Sequence, residues 1–366
     1  MSILFEKSSI GALELRNRFI RSATWEGMAR PDGSVTPELE KKMVELAEGG
    51  VGLIITGHAY VSSEGQAGPR QMGIHSDEMI PWMKDMTDAV HQAGGRAAAQ
   101  LAHAGCLAGV EASGAGPVGP SARPDLYDTP CSEAGVEDIE RIADAFAAAA
   151  VRARRAGFDA VQIHAAHGYL LSQFLSPFFN ERNDSYDGDQ EGRAKLLLDV
   201  IRRVRNEAGK DYPVLVKMNS EDLVDGGLTM EQMLETARML EREGVDAVEL
   251  SGGTAFSGRL NPLRMGRFDT PEKEVFYRRA AEAYKERIGI PLLLVGGIRS
   301  FETAEGLVAG GLADFISLSR PLICEPDLVD RWKSGDRRPS LCRSDNRCIQ
   351  AMRQGEDMKC VTRDEI

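Results

Sequence analysis

Residues 161–169, VQIHAAHGY, place two imidazoles and a phenol within six positions. Histidine is the hydrogen-bonding and proton-transfer group of neutral pH, and a tyrosine hydroxyl can serve as a general acid. His164, His167 and Tyr169 could together hold a substrate oxygen and deliver a proton. Residues 160–163 read as a strand, apolar apart from Gln162. Residues 155–159, RAGFD, read as a helix end, a glycine stop and a loop. The three groups then leave the end of one strand. Zinc binding and satisfied core histidines are the competing readings of H-x-x-H. Gly168 and the groups elsewhere on the chain favour the catalytic one.

The elements that must position these groups recur in a regular order. Strand-like runs lie at 19–22, 53–56, 97–101, 160–164, 214–218, 247–250, 292–295 and 315–318. Helix-period segments lie between them, at 37–48, 77–92, 136–155, 192–207, 230–243, 272–287 and 303–309. Thr36-Pro37 is an N-cap with proline at the first turn, and Gly49-Gly50 closes that helix. Three similar loops, AGFDAVQ, EGVDAVE and GGLADFI, each precede or enter a strand. Eight strands alternating with helices predict an α/β fold, a (β/α)8 TIM barrel with a short cysteine-containing C-terminal tail. The alternative, an open doubly wound sheet, would want G-x-G-x-x-G after the first strand, and the sequence lacks it. The expected division is a barrel over 1–335 and a tail over 336–366. Two loops are long, 57–76 and 102–135; the second, rich in Gly, Pro, Ser and Ala, reads as irregular and falls on the face where barrel active sites sit, as a substrate lid or a surface insertion.

Other candidate residues cluster at the same strand ends. Gly296 and Gly297 follow LLLV, and Ser319-Arg320 follow FISL. These are the ends of strands seven and eight, where barrels often bind phosphate. Arg320 adds a charged fork. Gln100 and Lys217 would converge on the mouth and could hold a polar, partly anionic ring. Lys217 could instead be a Schiff-base nucleophile or half of an ion pair inside the barrel. Thr24, Trp25 and His58 follow strands one and two. In the tail, Cys342, Asp345 and Cys348 stand three apart, with Cys360 beyond. They could wrap a metal or cluster or be free thiols.

Composition narrows the function classes. With 44 basic and 56 acidic residues in 366, the formal charge is −12, which argues against a nucleic-acid partner. The N-terminal MSILFEKSSIG lacks the basic and apolar blocks of a signal peptide, and no apolar run reaches membrane-span length. Six cysteines without a secretion signal predict a reduced, cytoplasmic protein with no membrane partner.

Over residues 4–328 or so the chain resembles the FMN-dependent old yellow enzyme family. The matching words are LELRNRF (13–19), VGLII (51–55), QLAHAG (100–105), GPSA (119–122), IHAAHGYLLSQFLSPFFNERNDSY (163–186), VGGI (295–298) and SR (319–320). The resemblance implies FMN at the barrel mouth and NADH or NADPH as reductant. Gln100 and Lys217 would hold the pyrimidine end of the flavin, and Ala23, Thr24 and His58 would line its ring. Gly296, Gly297, Ser319 and Arg320 would take the phosphate. His164 and His167 would bind a substrate carbonyl, and Tyr169 would protonate an activated alkene. A small substrate with a conjugated carbonyl and a homo-oligomeric assembly are implied as well. An amine dehydrogenase, a dienoyl-thioester reductase, a Lys217 lyase and a non-catalytic flavin-binding protein are the alternatives.

Three departures from the family stand out: Trp25 beside the flavin, Asp187 within the usual Tyr-Gly-Gly, and the tail. The tail resembles the [4Fe–4S] segment of larger relatives such as 2,4-dienoyl-CoA reductase and trimethylamine dehydrogenase. Cys342, Cys348 and Cys360 match it, whereas Asp345 replaces a ligand, so a degenerate segment without a bound metal is the expectation, although three thiolates and a carboxylate can still ligate iron.

Overall fold

The computed structural model describes residues 2–363. Its centre is a ring of eight parallel strands: β1 (Phe19–Arg21), β2 (Leu53–Ile55), β3 (Ala97–Ala102), β4 (Ala160–Ala165), β5 (Val214–Asn219), β6 (Ala247–Ser251), β7 (Leu292–Leu294) and β8 (Phe315–Leu318). Hydrogen bonding runs in the order β2-β1-β8-β7-β6-β5-β4-β3, and pairing of β2 with β3 closes the ring. The (β/α)8 barrel is therefore what the chain forms. Seven helices make the crossovers: α1 (Pro37–Glu48), α2 (Ile80–Gln92), α3 (Val136–Arg155), α4 (Gln190–Ala208), α5 (Met230–Arg242), α6 (Arg278–Arg287) and α7 (Phe301–Ala309). Thr36 caps α1 as its sequence implies, its hydroxyl accepting from the Leu39 amide at 3.2 Å.

The three similar loops have a common physical role. Asp159, Asp246 and Asp314 each accept a hydrogen bond from the first backbone N–H of the neighbouring strand, at Ala97 (2.9 Å), Val214 (2.8 Å) and Leu292 (2.8 Å). Each carboxylate pins the start of its own strand to the start of the one beside it. That fixes strand register at the N-terminal end of the barrel.

Inside the barrel the side chains form two layers of opposite character. Ile20, Leu53, Ile55, Ala98, Ala160, Leu215, Ala247, Leu293 and Phe315 pack into one apolar cluster near the strand starts. Ile10, Leu13 and Leu15, from the hairpin of Ser8–Ile10 and Leu13–Leu15, complete that cluster and plug the N-terminal end. Two residues further along β3, β4, β5, β6 and β8 the inward positions turn polar: Gln100, Gln162, Lys217, Glu249 and Ser317. The two-residue period of a strand puts the plug and the polar layer on the same inner face. The larger apolar core lies between strands and helices; on α3, Ile139, Ile142, Ala143, Phe146 and Ala150 face inward at helical spacing.

Three expectations need correction. The helix expected from residue 272 starts at Arg278, because the Phe276 amide bonds to the Gly296 carbonyl (3.0 Å) and holds the preceding turn against β7. The loop at 102–135, expected to be irregular, carries short helices (Gly105–Leu107, Val110–Ser113) and a pair of short strands (Val118–Gly119, Ser132–Glu133). A Cys106–Cys131 disulfide ties that loop together, so these two cysteines are not in the reduced state expected from composition. Among the described residues no helix is long and apolar enough to cross a membrane.

Beyond β8 the chain folds back on the barrel through α8 (Arg320–Cys324), α9 (Leu328–Lys333) and α10 (Arg347–Arg353). Trp332 is buried against Phe19 and Phe301. Ser340 is fully buried and donates to Glu325 at 2.9 Å.

Candidate active site at the C-terminal end of the barrel

Parallel register builds the site row by row. Gln100 on β3 sits beside Gln162 on β4, His164 on β4 beside Lys217 on β5, and Lys217 beside Glu249 on β6. Side chains at those positions join into one chain of contacts. Gln100 Nε2 donates to Gln162 Oε1 (2.7 Å), and Gln162 Nε2 donates to Glu249 Oε2 (2.9 Å). Lys217 Nζ lies 3.3 Å from Glu249 Oε2 and donates to Ser22 Oγ at 2.8 Å. Lys217 is thus held in the internal ion pair, one of the roles its sequence position allows. Burial of both ends is tolerable because each charge has a partner and a further hydrogen bond.

His164 lies at the end of β4, where the strand gives way to a sharp turn. His167 (φ 65°) and Gly168 (φ 79°) both occupy the left-handed region. Glycine enters it freely; histidine does so here under local constraint. The His167 amide donates to Asn219 Oδ1 (3.1 Å) and its Nε2 meets Ser251 Oγ (2.7 Å), so β5 and β6 hold both its backbone and its ring. The turn delivers Tyr169 to the start of the short helix Leu170–Leu175.

Four rings consequently meet at one point. Ring centroids of His164 lie 5.0 Å from Tyr169, 5.2 Å from His167 and 6.2 Å from His58. Tyr169 Oη is 3.2 Å from His58 Nε2. The Nδ1 of His164 is buried without a hydrogen-bond partner among the described residues. Burial holds the His164 and His167 imidazoles well below their ordinary pKa. Lys217 and His58 push both the same way, and His167 adds to the effect on His164. Burial, with Lys217 second, lowers His58 to about 4. Burial raises the Tyr169 phenol to about 12, and nearby Arg353 offsets a little of that. At neutral pH the site therefore presents neutral imidazoles and a protonated phenol. Trp25 stands edge-on to His58, with centroids 5.6 Å apart, and narrows this corner.

Gly296 (φ 115°) and Gly297 (φ 77°) lie at the far side of the mouth, and a Cβ on either would strike Tyr277 or Phe276 within 3 Å. They line a cavity together with Ser317, Ser319 and Arg320. Thr24 Oγ1 bonds Ser319 Oγ at 2.7 Å, joining the end of β1 to the same cradle, and Ala23 lies beside it in the chain. Arg320 donates to the Arg264 carbonyl (2.7 Å) and to Asn346 Oδ1 (2.9 Å). The residues suit FMN. A glycine-lined cradle with an arginine fits a phosphate, and the buried Ser317 hydroxyl has no partner among the described residues. Gln100 and Lys217 offer an amide and a cation at the mouth.

The tail departs from a four-cysteine cluster segment at Asp345. Cys342, Asp345, Cys348 and Cys360 line one small cavity with Cys324. Among the described residues, however, no three such side chains are placed to hold a metal ion. Asp345 Oδ1 instead accepts from the Arg347 amide (3.1 Å) at the start of α10.

Reading the sequence alone missed Gln162, Glu249, Ser251 and Asn219, which hold Lys217 and His167. Their signal was present: polar residues two apart inside otherwise apolar strands. It also missed the buried Arg21–Glu26 pair (2.8 Å), whose carboxylate accepts from the Gly57 amide and fixes the loop before His58.

Comparison with known proteins agrees with this geometry. The NADH:flavin oxidoreductase / NADH oxidase family matches residues 3–338. An NADH oxidase of Thermoanaerobacter brockii is 34% identical over 98% of this chain, which spans about half (52%) of that protein. A 4,4'-dithiodibutanoate disulfide reductase of Rhodococcus erythropolis is 32% identical over 99% of this chain and 96% of its own length. The structure of a 2-naphthoyl-CoA reductase in complex with 2-naphthoyl-CoA superposes with a TM-score of 0.91 at 28% identity, over 98% of this chain and 56% of that one. The chain belongs to the NADH:flavin oxidoreductase / NADH oxidase family, the FMN-dependent group that includes old yellow enzyme.

Proposed function

We propose that this protein uses NADH or NADPH to reduce an alkene conjugated to a carbonyl, with Tyr169 as the proton donor. The observation that carries this reading is the meeting of His58, His164, His167 and Tyr169 at the strand ends, across the mouth from the Gly296–Arg320 cradle. Bound FMN supplies the redox chemistry. Gly296, Gly297, Ser319 and Arg320 hold its phosphate, Gln100 and Lys217 its polar ring edge, and Ala23, Thr24 and His58 line it. His164 and His167 donate hydrogen bonds to the substrate carbonyl oxygen and polarise the conjugated double bond. Tyr169 passes its proton to the carbon next to that carbonyl. His58 accepts a hydrogen bond from the phenol and orients it.

Lys217 has no free role as a Schiff-base nucleophile in this arrangement, since its ammonium is committed to Glu249 and Ser22. An unsaturated thioester is the second substrate class to consider. The favouring observation is the close superposition on a 2-naphthoyl-CoA reductase. Turnover of cyclohexenone, crotonyl-CoA and a dialkyl disulfide by the FMN-loaded protein with NADPH separates the readings. Preferred reduction of the enone supports the proposal. Reduction confined to the disulfide would overturn it.

A further inference from the structure

The last described stretch of the chain makes a flap whose two ends return to one place. Its first end is moored at Glu325, which accepts from Ser340 Oγ (2.9 Å) and from the Leu341 amide (2.6 Å). Its second end returns beside the neighbouring residue, where Cys324 and Cys360 line the same basin. Between these points the flap crosses the active face. Asn346 bonds Arg320 and the Leu263 carbonyl (2.6 Å), beside the phosphate cradle. Met352 packs against Gly27, just beyond β1, where a Cβ would come within 2.6 Å of it. Arg70, in the loop after β2, donates to the Gly355 carbonyl (2.6 Å) and pairs with Asp357. Arg353 lies within electrostatic reach of Tyr169.

We propose that Cys324 and Cys360 form a reversible disulfide that fastens this flap across the mouth of the active site. Cys324 is buried while Cys360 is partly exposed, and both line a basin of about 540 Å³ that small molecules can enter. Cys360 is the more exposed of the two, so it attacks first and Cys324 resolves. The oxidant is a small organic disulfide. The Cys360 thiolate attacks one sulfur, breaking the S–S bond and releasing one thiol. The Cys324 thiolate then attacks the Cys360 sulfur of the mixed disulfide and releases the second thiol. Two cysteine S–H bonds are lost, one S–S bond forms, and the organic disulfide leaves as two thiols. Cys342 and Cys348 line the adjoining smaller cavity but not this basin.

The test uses the full-length, FMN-loaded protein, oxidised with glutathione disulfide or reduced with dithiothreitol. Free thiols are then alkylated and the peptides mapped by mass spectrometry. A peptide pair linking Cys324 to Cys360, with Cys342 and Cys348 alkylated, is the expected result. Trypsin cleavage at Arg347 and Arg353 should slow roughly tenfold on oxidation, as a closed flap opens less often. The slowing should vanish in Cys360→Ser, a substitution at a partly exposed site, and in Cys324→Ser. A Cys342–Cys348 link, no link at all, equal slowing in the variants, or iron and sulfide bound to these cysteines as purified would each overturn the proposal.

Discussion

The Tyr169 hydroxyl lies 3.2 Å from Nε2 of His58, and burial drives the two groups apart in acidity, to about 12 and about 4. A neutral imidazole then faces a protonated phenol throughout the physiological range. Acid–base partners separated in this way have defined roles: one donates, the other accepts.

Tyr169→Phe should therefore slow proton delivery and leave reduction by the nicotinamide nearly untouched. General acid catalysis contributes about 10²–10⁴-fold, so reoxidation by an enone should fall by at least about a hundredfold. Stopped-flow measurement of the two half-reactions separates them. Equal slowing of both would remove Tyr169 from its role.

The pH dependence follows from the same shifts. His58 stays neutral down to about pH 4 and Tyr169 stays protonated up to about pH 12. Acceptor reduction should vary little between about pH 5 and 9. Stability should not be so flat. In the unfolded chain these imidazoles bind protons near pH 6.5, whereas His58, His164 and His167 resist protonation in the fold. The unfolded state gains protons first, so stability is full above about pH 6.5 and declines below it, for His58 until about pH 4. Thermal melts of the apoprotein should show Tm falling between pH 7 and 5, and less steeply in His58→Asn. A Tm that rises on acidification would contradict this.

Lys217→Met tests the internal ion pair. It would leave the Glu249 carboxylate, which is fully buried, without its cation. Breaking such a pair costs about 3–5 kcal/mol, whereas removing both charges costs much less. Denaturant unfolding should show Lys217→Met strongly destabilised and Lys217→Met/Glu249→Gln largely recovered. FMN affinity should stay weakened in both variants. Full recovery of FMN affinity in the double variant would confine Lys217 to a structural role.

His164→Ala probes the oxygen-binding pair. The buried Nδ1 of His164, without a hydrogen-bond partner among the described residues, and the ring of His167 mark where a substrate oxygen would sit. Phenols, which carry a comparable oxygen on a ring, should bind the variant at least about tenfold more weakly, a loss on the scale of one hydrogen bond. Binding is read from perturbation of the flavin spectrum. Unchanged affinity would move the oxygen site elsewhere.

Strand positions and the 164–169 group were legible because their signals are local. The starts of β4, β5 and β8, and both ends of α1 and α3, fall where composition and capping place them. What was not legible depends on pairs far apart in sequence. Gln162 reads as a polar blemish in an apolar strand until register sets it between Gln100 and Glu249. The first turn expected at residue 272 gives way because Phe276 has a backbone partner, Gly296, in the turn just after β7. The Cys106–Cys131 bond and the return of the tail onto Glu325 likewise join residues that spacing alone does not connect.

The most direct test of the central claim is the visible spectrum of the purified protein under anaerobic conditions, before NADPH, after NADPH, and after cyclohexenone. The account predicts a flavin band that bleaches with NADPH and returns with the enone, and a return that is slow in Tyr169→Phe. A flavin that NADPH bleaches but enone does not restore would contradict the proposed reaction, and a colourless protein that takes up no FMN would contradict the site itself.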